Sequence, residues 1–158
     1  MPNYPEYRIR EATVADTPAI VEMGRKLHAD SNFSNLSFDP DIAAGHVDRL
    51  LTDDDCCLLI AVDSQRTIGF ISGEVSRAMF GPEFVATEDL FYVEPDMRGS
   101  KRGVSARLLR AFCFWAAERG AARITVANVA GTDDNKFQWL LRTYGFAQAG
   151  SVMYVEIG

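Results

Sequence analysis

One stretch limits what this chain can fold into more than any other: EDLFYVEPDMRGSKRGVSARLLRAFCFWAAERG, from Glu88 to Gly120. It reads as a strand, a basic turn and an amphipathic helix. Asp89 to Val93 is rich in aromatic and β-branched residues and is closed by Pro95, the pattern of a strand. The turn, Asp96 to Gly103, holds Arg98, Lys101 and Arg102 beside Gly99, Ser100 and Gly103. From about Val104 the apolar residues Val104, Leu108, Phe112 and Trp115 recur at helical spacing, until Gly120 after Arg119 ends the run. A basic turn that empties into a helix start has the makings of an anion site. The first helical N–H groups have no partner inside the helix. Glycine lets the backbone come close to a phosphate, and the helix dipole favours negative charge there. The plain alternative for the same residues is a solvated turn with a helix cap.

The remainder supplies a single α/β domain. Tyr7 to Ala12 alternates as a first strand, and Asp16 and Pro18 start a helix that runs to about Ala29 with Ile20, Met23 and Leu27 inward. Residues 30 to 40 read as a loop, and Asp41 to about Leu51 as a second helix with Ile42, Val47, Leu50 and Leu51 as its apolar set. Cys57 to Val62 and Thr67 to Val75 form a hairpin across DSQR, and Val85 to Val93 is the next strand. Arg123 to Asn128 is a short apolar strand. A helix from about Asp133 to Tyr144, capped by Asp133 or Thr132, ends at Gly145-Phe146, and Val152 to Ile157 alternates as a last strand.

Composition narrows the function. At 158 residues the chain can bury a real core, and no apolar run approaches the roughly 18 to 20 residues of a membrane span. The N-terminus lacks the profile of a secretion signal. Cys56, Cys57 and Cys113 form no disulfide framework, so a reducing, cytoplasmic compartment is expected. His28 and His46 stand apart, and no metal site is expected. A net charge of −6 argues against a nucleic-acid surface and is compatible with a cationic partner such as an amine.

The central stretch resembles motif A of the GNAT superfamily, the acyl-CoA N-acyltransferases. Val93, Pro95, Arg98 and Gly99 match its front half; Gly103, Val104, Ser105 and the pair Leu108-Leu109 match its back half. The halves fit together with a loop two residues longer than usual. The element order β-α-α-β-β-β-α-β-α-β, the opening YRIREATVADTPAIVEM, the segment LHADSNFSNLSFDPD and the closing WLLRTYGF extend the resemblance over the whole chain. It implies a twisted, mostly antiparallel sheet flanked by helices and splayed between its fourth and fifth strands. It also implies acetyl-CoA as acyl donor and a small-molecule or peptide amine as acceptor. Acyltransferases of this kind are often homodimers. A non-catalytic acyl-CoA sensor of the same fold is the alternative.

The resemblance also places the site. Phe91, Tyr92 and Val93 correspond to the strand backbone that pairs with the pantetheine arm and supplies an oxyanion donor. Arg98, Gly99, Ser100, Lys101, Arg102, Gly103, Val104 and Ser105 correspond to the diphosphate loop, and Asn128 to a further coenzyme contact. For the base Asp89 is the first choice: the family's base position lies about four residues before that Val, and counting by twos from Val93 puts Asp89 on the face of Phe91, with capping of the strand or pairing with a nearby cation as its plain alternative. Glu88 faces the other way in a regular strand, and a bulge would exchange them. The family often carries a tyrosine as acid where this chain has Leu141, which leaves Tyr144, three residues on, or core packing for that tyrosine. His28, Asp30, Ser31 and Phe33 are the acceptor-side candidates.

Overall fold

The computed structural model describes residues 6–64, 66–99, 102–128, 130–131 and 134–157. Ser100 and Lys101, and the Thr132 or Asp133 cap, lie outside them. Strand β1 (Arg8–Glu11) leads through a turn in which Asp16 accepts from the Thr13 backbone and Arg10 at 2.7 and 2.8 Å, and then into α1 (Thr17–Ala29). Helix α2 (Pro40–Thr52) is capped by Asp39, whose carboxylate accepts from the N–H groups of Asp41 and Ile42. Strands β2 (Cys56–Val62), β3 (Thr67–Arg77) and β4 (Phe84–Val93) follow as an antiparallel meander. Helix α3 (Val104–Glu118) carries the chain over to β5 (Ala121–Thr125), which pairs parallel with β4, and α4 (Asp134–Thr143) comes last. The sheet order is β1-β2-β3-β4-β5.

Both faces of the sheet are covered, so β2 reads as an unbroken apolar run. On one face α3 packs Val104, Leu108, Phe112 and Ala116 against Ile68, Ile71, Val75 and Ala86. On the other, Ile20, Met23 and Leu27 of α1 and Val47 and Leu50 of α2 cover Leu58, Ile60, Phe70 and Tyr92. Ile42, expected inside, is exposed on the first turn of α2.

Three departures from the sequence reading matter. Strand β5 ends at Thr125 and not Asn128, because its pairing with β4 stops at Thr87↔Thr125 and the strands then part. Strand β4 is not regular. Leu90 pairs with Ser72 and Glu88 with Gly73, so Asp89 is the extra residue of a β-bulge. Val152 to Ile157 is not a strand here: an apolar alternation needs a neighbouring edge to satisfy its backbone, and none pairs with it.

Gly73 shows how tightly α3 sits on the bulge. A Cβ there would collide with the Thr87 carbonyl and lie 2.6 Å from Phe112 Cε2. Gly73→Ala should therefore destabilise the fold by about 1–3 kcal/mol, as overpacking does. Thermal unfolding should show a Tm lower by several degrees; an unchanged Tm would mean that α3 does not press on the bulge.

Candidate active site

Where β4 and β5 part, β4 keeps β3 on one side and has no strand on the other. The Glu94 N–H donates to Ile68 O at 2.9 Å, which sets the phase of the β3–β4 ladder. Antiparallel pairing alternates, so Leu90, Tyr92 and Glu94 turn their backbone groups to β3, while Phe91 and Val93 turn theirs into the opening. Val93 O already accepts from Arg98 Nε at 2.6 Å. The Phe91 ring meets Phe137 of α4 edge-on, centroids 5.9 Å apart. The Tyr92 side chain points to the other face, and its hydroxyl donates to Glu94 at 3.3 Å.

The bulge decides which of the two neighbouring carboxyls shares the face of Phe91. Glu88 is buried at the fork, where Oε2 accepts the Ala127 N–H at 3.2 Å. Burial pushes its pKa up to about 7, the Ala127 bond opposes this, and the charge of Asp89 adds to it. Asp89 turns instead to α2, with Oδ2 2.7 Å from His46 Nε2. That partner is the main reason its pKa is lowered. The shared face of Asp89 and Phe91 expected from a regular strand is therefore wrong, and it is Glu88 that reaches the opening beside Phe91. His46, the partner of Asp89, is not among the site candidates of the sequence reading. Its legible signal is a histidine one helical turn before Arg49, which itself bonds Glu74 of β3 at 3.2 Å.

The basic turn ends at Gly103, whose φ of 63° is left-handed, as is the 58° of Gly99. The first intrahelical bond of α3 runs from Arg107 N to Gly103 O, so the N–H groups of Val104, Ser105 and Ala106 precede it and point out of the helix start. The Val104 side chain is buried and fixes that end on the sheet. The Tyr7 hydroxyl, just before β1, donates to Arg102 O at 2.7 Å, while the Arg107 guanidinium lies 4.5 Å from the Tyr7 ring centroid. Arg98 does not reach outward; its guanidinium lies 5.1 Å from the Tyr92 ring centroid.

The loop after α1 borders the same opening. Asn32 N donates to Ala130 O at 2.9 Å, which ties the loop to the chain leaving β5, next to Asn128. Within the loop Ser31 is used internally: its hydroxyl donates to His28 O and accepts from Phe33 N. The His28 ring packs on Phe38, centroids 5.5 Å apart, with a buried Nε2 that lacks a partner. Asp30 ends α1, and Phe33 is exposed. Tyr144 is not brought to the fork. It is half-exposed and lines a separate groove with Ile9, Arg107, Arg110, Cys113 and Phe114, while Leu141 packs against the core. Among the described residues no three His, Cys, Asp or Glu side chains are placed to hold a metal, and no helix is long and apolar enough to cross a membrane.

Comparison with known proteins agrees with the fold. No curated protein matches the sequence. Among solved structures, the aminoglycoside N-acetyltransferase AAC(6')-Iy in complex with CoA superposes with a TM-score of 0.79 at 17% identity, over 99% of this chain and 98% of that one. A transcriptional regulator from Bacillus halodurans gives 0.79 at 18%, over 96% and 100%. A ribosomal-protein-alanine N-acetyltransferase from Brucella melitensis gives 0.72 at 19%, over 97% and 100%. These likenesses concern the fold. The family model for the acetyltransferase (GNAT) family matches residues 22–146, and the chain belongs to that family.

Proposed function

We propose that the chain is an N-acetyltransferase that passes an acetyl group from acetyl-CoA to a primary amine of a small molecule or peptide by direct attack. One observation carries the reading: a buried carboxyl, Glu88, sits at the fork beside a strand edge whose Phe91 and Val93 backbone is turned into the opening. These residues fit the coenzyme. An unpaired edge suits an extended arm that carries amides, and the left-handed glycines with the N–H groups of residues 104 to 106 suit a diphosphate. Arg102 and Lys101 would add positive charge, and Arg98 would brace the strand end. When bound, acetyl-CoA supplies an activated acyl carbonyl.

The chain's own residues do the rest. An amine of pKa near 10.4 is neutral in only about one molecule in a thousand at pH 7.4, so it must lose a proton before attack. Glu88, poised near neutrality, takes that proton directly or through water; an ordinary carboxyl, with a pKa of about 4.3, is a weaker base and would do so less well. Asp89 stays ionised against His46 and draws a cationic acceptor to the mouth. The backbone N–H of Phe91 or of Val93, the two turned into the opening, holds the oxyanion. Tyr144 stands outside this set, and the weakly basic thiolate takes its proton from solvent. Asp30, Phe33 and His28 border the acceptor side. Because the structural neighbours include an aminoglycoside and a ribosomal-protein-alanine N-acetyltransferase, aminoglycosides and peptides that begin with alanine are the first acceptors to try.

The test is acetyl transfer to a panel of amines, followed by thiol release. Glu88→Gln should lower kcat by about 10²–10⁴ and abolish a rising limb of kcat/KM centred near pH 7. Coenzyme binding with no turnover on any amine would replace the enzyme with a sensor. Glu88 also makes a stability test. Its folded pKa lies above the ordinary value, so folding favours its protonated form, and stability falls as pH rises through about 7. Glu88→Gln removes that loss, and its Tm relative to the parent should be higher at pH 8 than at pH 5. Ser105→Pro deletes one helix-start N–H at the second helical position, where α1 already tolerates Pro18. It should weaken CoA binding about tenfold or more, in line with a lost charge-assisted hydrogen bond, with little change in Tm. An unaltered Kd would remove the start of α3 from the cofactor site.

A further inference from the structure

Two carboxyls stand side by side at the fork, and the mechanism asks only one of them to move a proton. Glu88 is poised to take it, and Asp89 is not. The His46 hydrogen bond lowers the pKa of Asp89 most; burial opposes this, and the charges of His46 and Arg49 add to it. The side chains of His46 and Asp89 are 35% and 38% exposed, so a ligand can reach the pair.

The surroundings leave the charge of Asp89 only partly matched. From α2 it is faced by His46 and Arg49, from β3 by Ser72, and along β4 by Glu88. Arg49 is itself committed to Glu74 of β3 at 3.2 Å and lies 3.3 Å from Cys56 Sγ. Among the described residues the direct partner of Asp89 is therefore His46, and a histidine gains and loses its charge near neutral pH.

A lasting anion beside the base has a chemical consequence. The reacting nitrogen must become neutral before it attacks, and a neighbouring carboxylate that stays ionised favours the charged ammonium instead. The conflict disappears if Asp89 is matched by a different nitrogen, one that does not react and keeps its charge. Consecutive Cα atoms lie about 3.8 Å apart, so one short diamine can reach both carboxyls. Such an ammonium competes with the imidazole for the Oδ2 that His46 occupies.

We propose that His46 is a specificity-determining residue, which holds Asp89 until a second, unreactive cationic nitrogen of the acceptor takes its place. The acceptor is then a diamine or polyamine, with one nitrogen at Glu88 and the next at Asp89. This rests on the acetyltransferase reading, because it assigns the acceptor of that site.

Calorimetric binding to the CoA-loaded protein tests this without turnover. The probes are diaminoalkanes of about three to five carbons, each compared with the monoamine of the same length. At pH 8 the best diamine should bind at least about threefold more tightly than its monoamine, as one ion pair at a partly exposed site allows. At pH 6, where a histidine is more often protonated, the ratio should shrink towards one. Glu88 meets the reacting nitrogen of both probes, so its own titration cancels in the ratio. His46→Gln should keep the preference and make it equal at the two pH values, and Asp89→Asn should abolish it. No preference in the parent at pH 8 would overturn the proposal. So would a ratio in His46→Gln that still falls on acidification, or a preference that survives in Asp89→Asn. Should Asp89→Asn fail to fold, the parent and His46→Gln decide. Diamine preference without acetyl transfer to any amine would remove the enzymatic reading and leave the assignment of His46 and Asp89 standing; transfer without the preference would do the reverse.

Discussion

The bond from the Ala127 N–H to the Glu88 carboxyl holds the fork open in a defined shape. Two strands that run side by side from Phe84↔Ala121 to Thr87↔Thr125 must otherwise continue pairing or leave buried polar groups without partners. A buried carboxyl at the point of departure satisfies the first free N–H of the diverging strand. The backbone of Phe91 and Val93 is then left facing an opening and not another strand. The gap between β4 and β5 is thus a built feature of the sheet.

That arrangement depends on one inserted residue. With Asp89 unpaired in the bulge, the side chains on either side of it change phase, so that of the two adjacent carboxyls Glu88, and not Asp89, shares the face of Phe91. One meets His46 and is held ionised; the other is driven into the sheet and pushed toward neutrality. Similar residues in sequence thereby acquire different proton affinities. Gly73 permits this, because the partner strand at the bulge leaves no room for a Cβ between Thr87 and Phe112.

Much of the fold was legible from periodicity. The helical spacing of Val104, Leu108 and Phe112 and the aromatic run of β4 placed the central strand, turn and helix within a few residues. The turn glycines marked positions that are left-handed, Gly99 and Gly103. What could not be read was anything set by a cross-strand partner. The bulge lies in the register between β3 and β4, and no local pattern around Asp89 records it. The pairing of His46 with Asp89 joins residues 43 positions apart. The end of β5 is dictated by where β4 leaves it. The expected last strand failed for a related reason: the alternation from Val152 to Ile157 states a preference, and an edge within the same molecule does not fulfil it.

The contact from the Tyr7 hydroxyl to the Arg102 carbonyl spans 95 positions and fastens the chain's beginning to the cradle at the foot of α3. Strand β1 is at the margin of the sheet, where fraying is easiest. Peeling of that margin would therefore slacken the cradle, and an anion seated there would in turn quiet the margin. Two segments that share no ligand contact would gain and lose order in step.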